Sequence, residues 1–266
     1  MQINAEPGTN LLYDTEKLPA HLYRYRSMDS RGLREVFEQN ILKCTSPVAF
    51  NDPFDSHVNL TVDGNPEQIL EMIRKQLQEH LTGLDHASTL QDVKKDLHEG
   101  NRRMLEKVVK EMHAQFAAAS GVLSFSEISD DILMWAHYAG SHSGICFEFK
   151  SDRNQVLFKY AHKVIYQKDY PQISFFLGST EEYVNVLLTK SDHWSYEREW
   201  RVVVQNAANE EIPFIPESLT GVIFGHRVSE ENIKKIQSWI ALGKCRPVLY
   251  MAHPKQRSFG LDIVRI

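Results

Sequence analysis

The first periodic stretch is His21-Leu22-Tyr23-Arg24-Tyr25-Arg26, where period-two alternation puts Leu22, Arg24 and Arg26 on one strand face and Tyr23 and Tyr25 on the other. One of the two faces must be inside. If it is the arginine face, a buried guanidinium needs an anionic partner. The pattern then turns helical over about 29–40, with Asp29 as N-cap and Leu33, Val36, Phe37 and Ile41 as the apolar stripe. A short strand at 41–45 leads into Phe50-Asn51-Asp52-Pro53-Phe54-Asp55. Asn and Asp bond their own backbone and Pro53 presets the bend, so this is a turn. Its two phenylalanines pin it to the core, and a pinned polar turn offers Asn51, Asp52 or Asp55 to a ligand.

From about 64 to 119 the chain is highly charged and helical. Asn65, Pro66 and Gln68 give an N-cap, a first-turn proline and a capping-box partner, and Ile69, Ile73, Leu77 and Leu81 continue the stripe. After a break at 83–88, Leu97, Met104, Leu105, Val108, Val109, Met112 and Phe116 mark one long second helix. The segment is predicted to be an inserted helical hairpin, with His80 and His113 facing solvent. Strands are then expected at 121–126, 145–149 and 157–166. Ser129, Asp130 and Asp131 cap a short helix through 134–139, and Ser179 with Glu182 caps another whose face is Tyr183, Val186, Leu187 and Lys190. A strand at 219–224 ends in Gly225-His226-Arg227, Ser229 caps a helix through Ile233, Ile236 and Ile240 that stops at Gly243, and strands at 246–250 and 261–266 close the chain. The class is α+β: a mostly antiparallel or mixed sheet with flanking helices and one helical insertion. Residues 1–20 form a surface lead-in, and 21–266 a single domain.

Composition narrows the function classes. The 266 residues, 42% hydrophobic, suffice for one large core. Thirty basic against 35 acidic residues, a formal charge of -5, argue against coating nucleic acid by charge alone, while leaving room for a local basic groove. Cys44, Cys146 and Cys245 are scattered and odd in number, which fits a reducing cytoplasm without a disulfide framework or zinc knuckle. The first residues lack the pattern of an export signal, and no apolar run is long enough to span a membrane. Walker, Rossmann, His-Glu-x-x-His and Gly-x-Ser-x-Gly motifs are absent.

Two stretches concentrate chemistry. Residues 133–149 pack Trp135, His137, Tyr138 and His142 into eight positions beside Gly140 and Gly144, then run into an apolar strand. Each such polar group taken inside without a partner costs about 1–3 kcal/mol, so the cluster indicates a polar site beside an apolar wall. The alternative is an amphipathic turn whose histidines face water. His137 and His142 lack a third spaced ligand, so no metal is expected, and Cys146 sits in an apolar run as a small buried hydrophobe. The second stretch is Trp194-Ser195-Tyr196-Glu197-Arg198-Glu199-Trp200-Arg201. As a strand it aligns Glu197, Glu199 and Arg201 on one face and Tyr196, Trp200, Val202 and Val204 on the other. Carboxylates about 6–7 Å apart at the backbone raise one another's pKa or grip a polyol; a solvated edge with a Glu and Arg pair is the alternative.

Taken in order, Leu22-Tyr23-Arg24-Tyr25-Arg26-Ser27, the turn 50–55, Met134-Trp135-Ala136-His137-Tyr138 with His142, Gly144 and Cys146, and the Trp194 to Arg201 segment resemble a bacterial domain-of-unknown-function family over about residues 21–230. More distantly the chain is similar to the ADP-ribosyltransferase superfamily. That resemblance implies an Arg on an early strand (Arg26 or Arg24), an aromatic or hydroxyl residue on a middle strand (Tyr138 or His137), and a catalytic Glu within Glu-x-Glu (Glu199, preceded by Glu197). It further implies NAD as substrate and a protein or nucleic-acid acceptor. The chain departs from it in lacking a Ser-Thr-Ser triplet in the middle motif and in its helical insertion. Tyr25, Asn51, Asp52, Asp55, Trp135, His142 and Arg201 complete the candidate nucleotide-binding set. Two other readings stay open: a nucleotide or nucleic-acid hydrolase using His137, His142 and Glu197, and a non-enzymatic ligand sensor or interaction module.

Overall fold

A computed structural model describes residues 17–61, 65–79, 85–100, 103–174 and 180–266. The expectations for residues 1–16, His80, Leu81 and Ser179 fall outside them. In chain order the elements begin with β1 (His21–Arg26), α1 (Leu33–Glu38), β2 (Ile41–Lys43), β3 (Asn59–Thr61), α2 (Pro66–Glu79), α3 (His86–His98) and α4 (Arg103–Ala119). They continue with β4 (Gly121–Ser126), α5 (Ile132–Tyr138), β5 (Ile145–Lys150), β6 (Ala161–Lys163), β7 (Ile165–Gln167), β8 (Gln172–Ser174), α6 (Thr180–Leu187) and β9 (Thr189–Ser191). Last come β10 (Glu199–Val204), β11 (Glu211–Pro213), β12 (Leu219–Phe224), α7 (Glu230–Leu242), β13 (Val248–Pro254) and β14 (Leu261–Arg265). The main sheet has eight strands in the order β14-β13-β12-β5-β1-β4-β10-β6. Within it β12 and β13 pair in parallel and the other neighbours are antiparallel, so the class is α+β.

Both faces of the sheet are covered, which is why β5 and β12 read as nearly continuous apolar runs. On one face α1 and α7 close over Leu22, Phe147, Phe149 and Trp200, with the Phe37 ring 5.5 Å from Phe147 and 6.2 Å from Trp239. On the other, α5 lays Trp135 edge-on to Tyr25 at 5.3 Å, above Cys146 and Ile223. Ser229 caps α7 through the Asn232 amide, and Asp131 caps α5 through the amides of Leu133 and Met134. Among the described residues no helix is long and apolar enough to cross a membrane.

The helical excursion holds three helices rather than a hairpin. The long second helix is interrupted at Gly100, whose φ of +69° is left-handed, and the chain restarts with the Asp96 carboxylate accepting the Met104 amide at 2.8 Å. Ile69, Ile73, Val93, Leu105 and Val109 form a core of their own. His113 is not solvated: its Nε2 lies 2.9 Å from the Ser56 carbonyl and its ring stacks on Tyr183. Three more expectations are corrected. Asp29 does not cap α1, which begins behind a left-handed Gly32, because its carboxylate accepts the Ser27 hydroxyl. Ile41 belongs to β2, and 157–166 yields only the short β6 and β7, preceded by turns. Residues 19 and 20 are tied down, their carbonyls accepting the Ser151 hydroxyl and amide.

The sheet is split near its middle. β1 pairs with β5 along all six residues but meets β4 only at Tyr23 opposite Ser126. Beyond that point the strands part, and Thr45 takes over the pairing of Val122 with two bonds of 2.9 Å. Between these anchors the Ser124 carbonyl has no strand opposite it, and the Arg24 guanidinium fills the position at 2.6 Å. Gly144 packs under the same end of β1: a Cβ there would stand 2.2 Å from the Arg26 carbonyl oxygen.

Candidate active site

The segment before β10 is not a straight strand. Asp192–Glu197 forms a 3-10 turn, Arg198 is left-handed at φ 43°, and the strand starts at Glu199. The Ser126 hydroxyl holds the turn by donating to the Glu197 carbonyl at 2.6 Å. Glu197 and Glu199 therefore converge through a kink, not through strand alternation. Both reach Lys190 on β9, whose Nζ is 2.6 Å from Glu197 Oε2 and 3.2 Å from Glu199 Oε2. Arg201 grips Glu199 through Nε (2.8 Å) and Nη2 (2.9 Å), and grips Asp55 through Nη1 (2.9 Å) and Nη2 (2.6 Å). This double fork locks the 50–55 turn to β10. Tyr138 donates to Glu197 Oε1 at 2.6 Å, and the Glu199 amide donates to the Tyr166 hydroxyl at 2.8 Å.

The two carboxyl groups are pushed apart in acidity. Burial works to raise Glu199, but Arg201 and Lys190 outweigh it and hold this group at about 2. Burial raises Glu197, and the neighbouring charge of Glu199 adds to it, against the opposing pull of Lys190 and Tyr138. Tyr138 is itself driven up by burial and by Glu197.

These groups form one wall of a cleft of about 310 Å³ that opens in the split between β1 and β4. The opposite wall carries Arg24 and Arg26. Arg24 is buried, its guanidinium 5.6 Å from the centre of the Phe125 ring, and its Nε has no partner. Burial and the charge of Arg26 depress its pKa, and burial depresses Arg26 too. The expected anionic partner for a buried arginine is thus not a carboxylate of the fold, since neither arginine forms an ion pair among the described residues. A cleft whose acids are ion-paired on one wall and whose arginines are not on the other suits an anionic ligand with hydroxyl groups.

Arg24, Arg26, Tyr25, Asn51, Asp55, His137, Tyr138, Glu197, Glu199 and Arg201 all line this cleft, so residues from four separate parts of the chain meet there. Three expected members do not. Asp52 turns back to accept the Phe54 amide at 2.9 Å. Trp135 is fully buried, donating Nε1 to the Ser129 carbonyl at 2.8 Å. His142 stacks on Trp135 on the far side of α5, beside His226 and Arg227. Helical spacing separates them: Met134, His137 and Tyr138 share the cleft face at i, i+3 and i+4, which turns Trp135 into the core. Among the described residues no group of three His, Cys, Asp or Glu is arranged to hold a metal ion.

Tyr138 and His137 stand on α5, not on a middle strand. The strand between β1 and β10 is β4, and its Ser124 and Ser126 line the cleft. That pair, alternating with Leu123 and Phe125, was visible as period-two hydroxyls on an apolar strand. Lys190, read as the end of a helix face, instead lies on β9; a lysine continuing an apolar stripe was its only signal.

Fold and site together define an α+β protein with a charged, aromatic-lined cleft in a split sheet. Residues 134–202, from α5 into β10, match a family model described as a protein of unknown function, DUF2971. The match is shorter than the 21–230 expected from the motifs, but contains both chemistry-bearing stretches. No curated protein and no solved structure matches the chain.

Proposed function

We propose that this chain breaks the nicotinamide–ribose bond of NAD and passes ADP-ribose to water or to a protein or nucleic-acid acceptor. The observation that carries the reading is the meeting of arginine, hydroxyl and glutamate side chains from β1, β4 and β10 in one cleft. This is the order of residue types on early, middle and later strands that the superfamily resemblance implies, with Ser124 and Ser126 in place of Tyr138.

Arg24 and Arg26 take the diphosphate through forked donors. The C–N bond breaks with its electron pair leaving on nicotinamide, which departs neutral, and an oxocarbenium-like ribose remains. Glu199, ionised throughout the neutral range, stabilises that positive charge. Glu197, with its raised pKa, is the better base and takes the proton of the incoming water or acceptor. Lys190 and Tyr138 fix its two oxygens. A cytoplasmic setting suits the reading, because NAD is available there and the three buried thiols stay reduced. The hydrolase reading through His137, His142 and Glu197 is disfavoured by Trp135 standing between the two histidines.

The test is release of nicotinamide from NAD, followed by chromatography. Glu199→Gln is expected to lower the rate by about 10²-fold or more, and Arg24→Met to raise KM. Absence of both NAD binding and nicotinamide release overturns the proposal, while binding without release makes the cleft that of a ligand sensor.

A further inference from the structure

We infer that a second groove, on the far side of α5 from the cleft, binds single-stranded nucleic acid. Its floor is the hairpin joining β13 to β14, where the Lys255 amide bonds the Gly260 carbonyl at 3.0 Å and Gly260 takes a φ of +144°. This closure holds Phe259 outward at 98% exposure, a large ring with nothing in the fold to pack against. Lys255 and Arg257 flank it, both exposed. Across the groove stands Arg227, whose amide donates to the His142 carbonyl at 2.9 Å, so the turn after β12 is fixed to the 140–144 loop.

The groove encloses about 660 Å³ and no Asp or Glu lines it, in a chain with 35 acidic residues and a charge of -5. Asp262, the acidic residue of β14, falls on the other strand face by alternation with Leu261, and lines an adjoining groove that Lys255 and Arg257 also border. Three cations that form no ion pair among the described residues, set around one bare aromatic ring, are the elements that track a phosphate backbone and stack a base. A duplex answers the cations but offers no base face to Phe259, and an acidic peptide answers neither the ring nor the phosphate geometry. The inference goes beyond the NAD reading of the cleft and stands without it, since it concerns binding alone.

Fluorescence anisotropy with a labelled oligothymidylate of about 12 nucleotides, run at several salt concentrations on the full chain without NAD, tests it. Binding is expected with a log–log salt slope of about −2, three contacts at about −0.7 each. The triple variant Arg227→Ala, Lys255→Ala, Arg257→Ala should weaken binding more than tenfold and flatten the slope. Phe259→Ala should weaken it by about tenfold at an unchanged slope. All four side chains are exposed, and circular dichroism checks that the variants fold. No salt-dependent binding overturns the inference. So does equal affinity for duplex DNA or an oligoglutamate peptide with no effect of Phe259→Ala, which would make the groove a general polyanion or protein contact. An oligouridylate arm separates RNA from DNA.

Discussion

Glu197 and Glu199 share one lysine and titrate in opposite directions. Folding holds Glu199 at about 2 against the usual 4.5, so its ionised form contributes stability above about pH 4.5, and this is lost as pH falls toward 2. Glu197 is raised, so its contribution is full below the usual value and is lost as pH rises through its folded pKa. Urea melts between pH 3 and 8 should therefore show Glu199→Gln less stable at neutral pH with a flatter acid limb. Glu197→Gln should be nearly neutral or stabilising at pH 7. Arg24 gives a complementary expectation, because it is buried and charged without a carboxylate partner. Removing the guanidinium also leaves the buried Ser124 carbonyl without its donor, which costs about 1–3 kcal/mol. Arg24→Met should accordingly lower the melting temperature as well as the affinity for the proposed anionic ligand, whereas Arg24→Lys, which keeps a donor for that carbonyl but not the fork, should recover more of the stability than of the affinity. A purely structural arginine would leave the affinity of the folded protein unchanged in both variants.

At the scale of elements, what the sequence made legible was whatever local periodicity or capping decides. The alternation of β1, the strand 121–126, the Ser229 cap of α7 and its stop at Gly243 all appear where expected. The 3-10 turn and left-handed Arg198 did not show, because Trp194 to Arg201 also satisfies strand alternation and the kink is selected by bonds to Ser126 and Lys190 from elsewhere in the chain. The double fork of Arg201 is the strongest of these long-range ties, linking the 50–55 turn to β10. Arg201→Met leaves Asp55 and Glu199 buried against Lys190 alone, and should cost about 3–5 kcal/mol in urea unfolding. Gly144→Ala forces a Cβ against the Arg26 carbonyl and should cost about 1–3 kcal/mol by the same measurement.

Across the whole molecule, the cleft follows from topology that no single stretch encodes. Tyr23, Ser126 and Glu199 are brought into register on adjacent strands although about a hundred and about seventy positions separate them along the chain. This is why the aromatic density around Tyr138 drew the middle position to α5, when the strand between β1 and β10 is β4. The same topology makes the cleft a seam: β1 and its neighbours toward β14 meet β4, β10 and β6 through one residue pair, with Arg24 reaching across to Ser124. A ligand whose diphosphate sits on Arg24 and Arg26 and whose ribose sits against Glu199, as proposed, bonds both halves at once. Such a ligand binds only the native arrangement, so NAD at 100 times its Kd should add about 2.7 kcal/mol to the unfolding free energy. Hydrogen exchange should show the added protection at amides 23–26 and 122–126, on the two sides of the seam. Arg24→Met should abolish both effects, each measured against that variant's own unliganded baseline. Protection spread evenly over the sheet, or unchanged by that substitution, would mean that the ligand does not bridge the split.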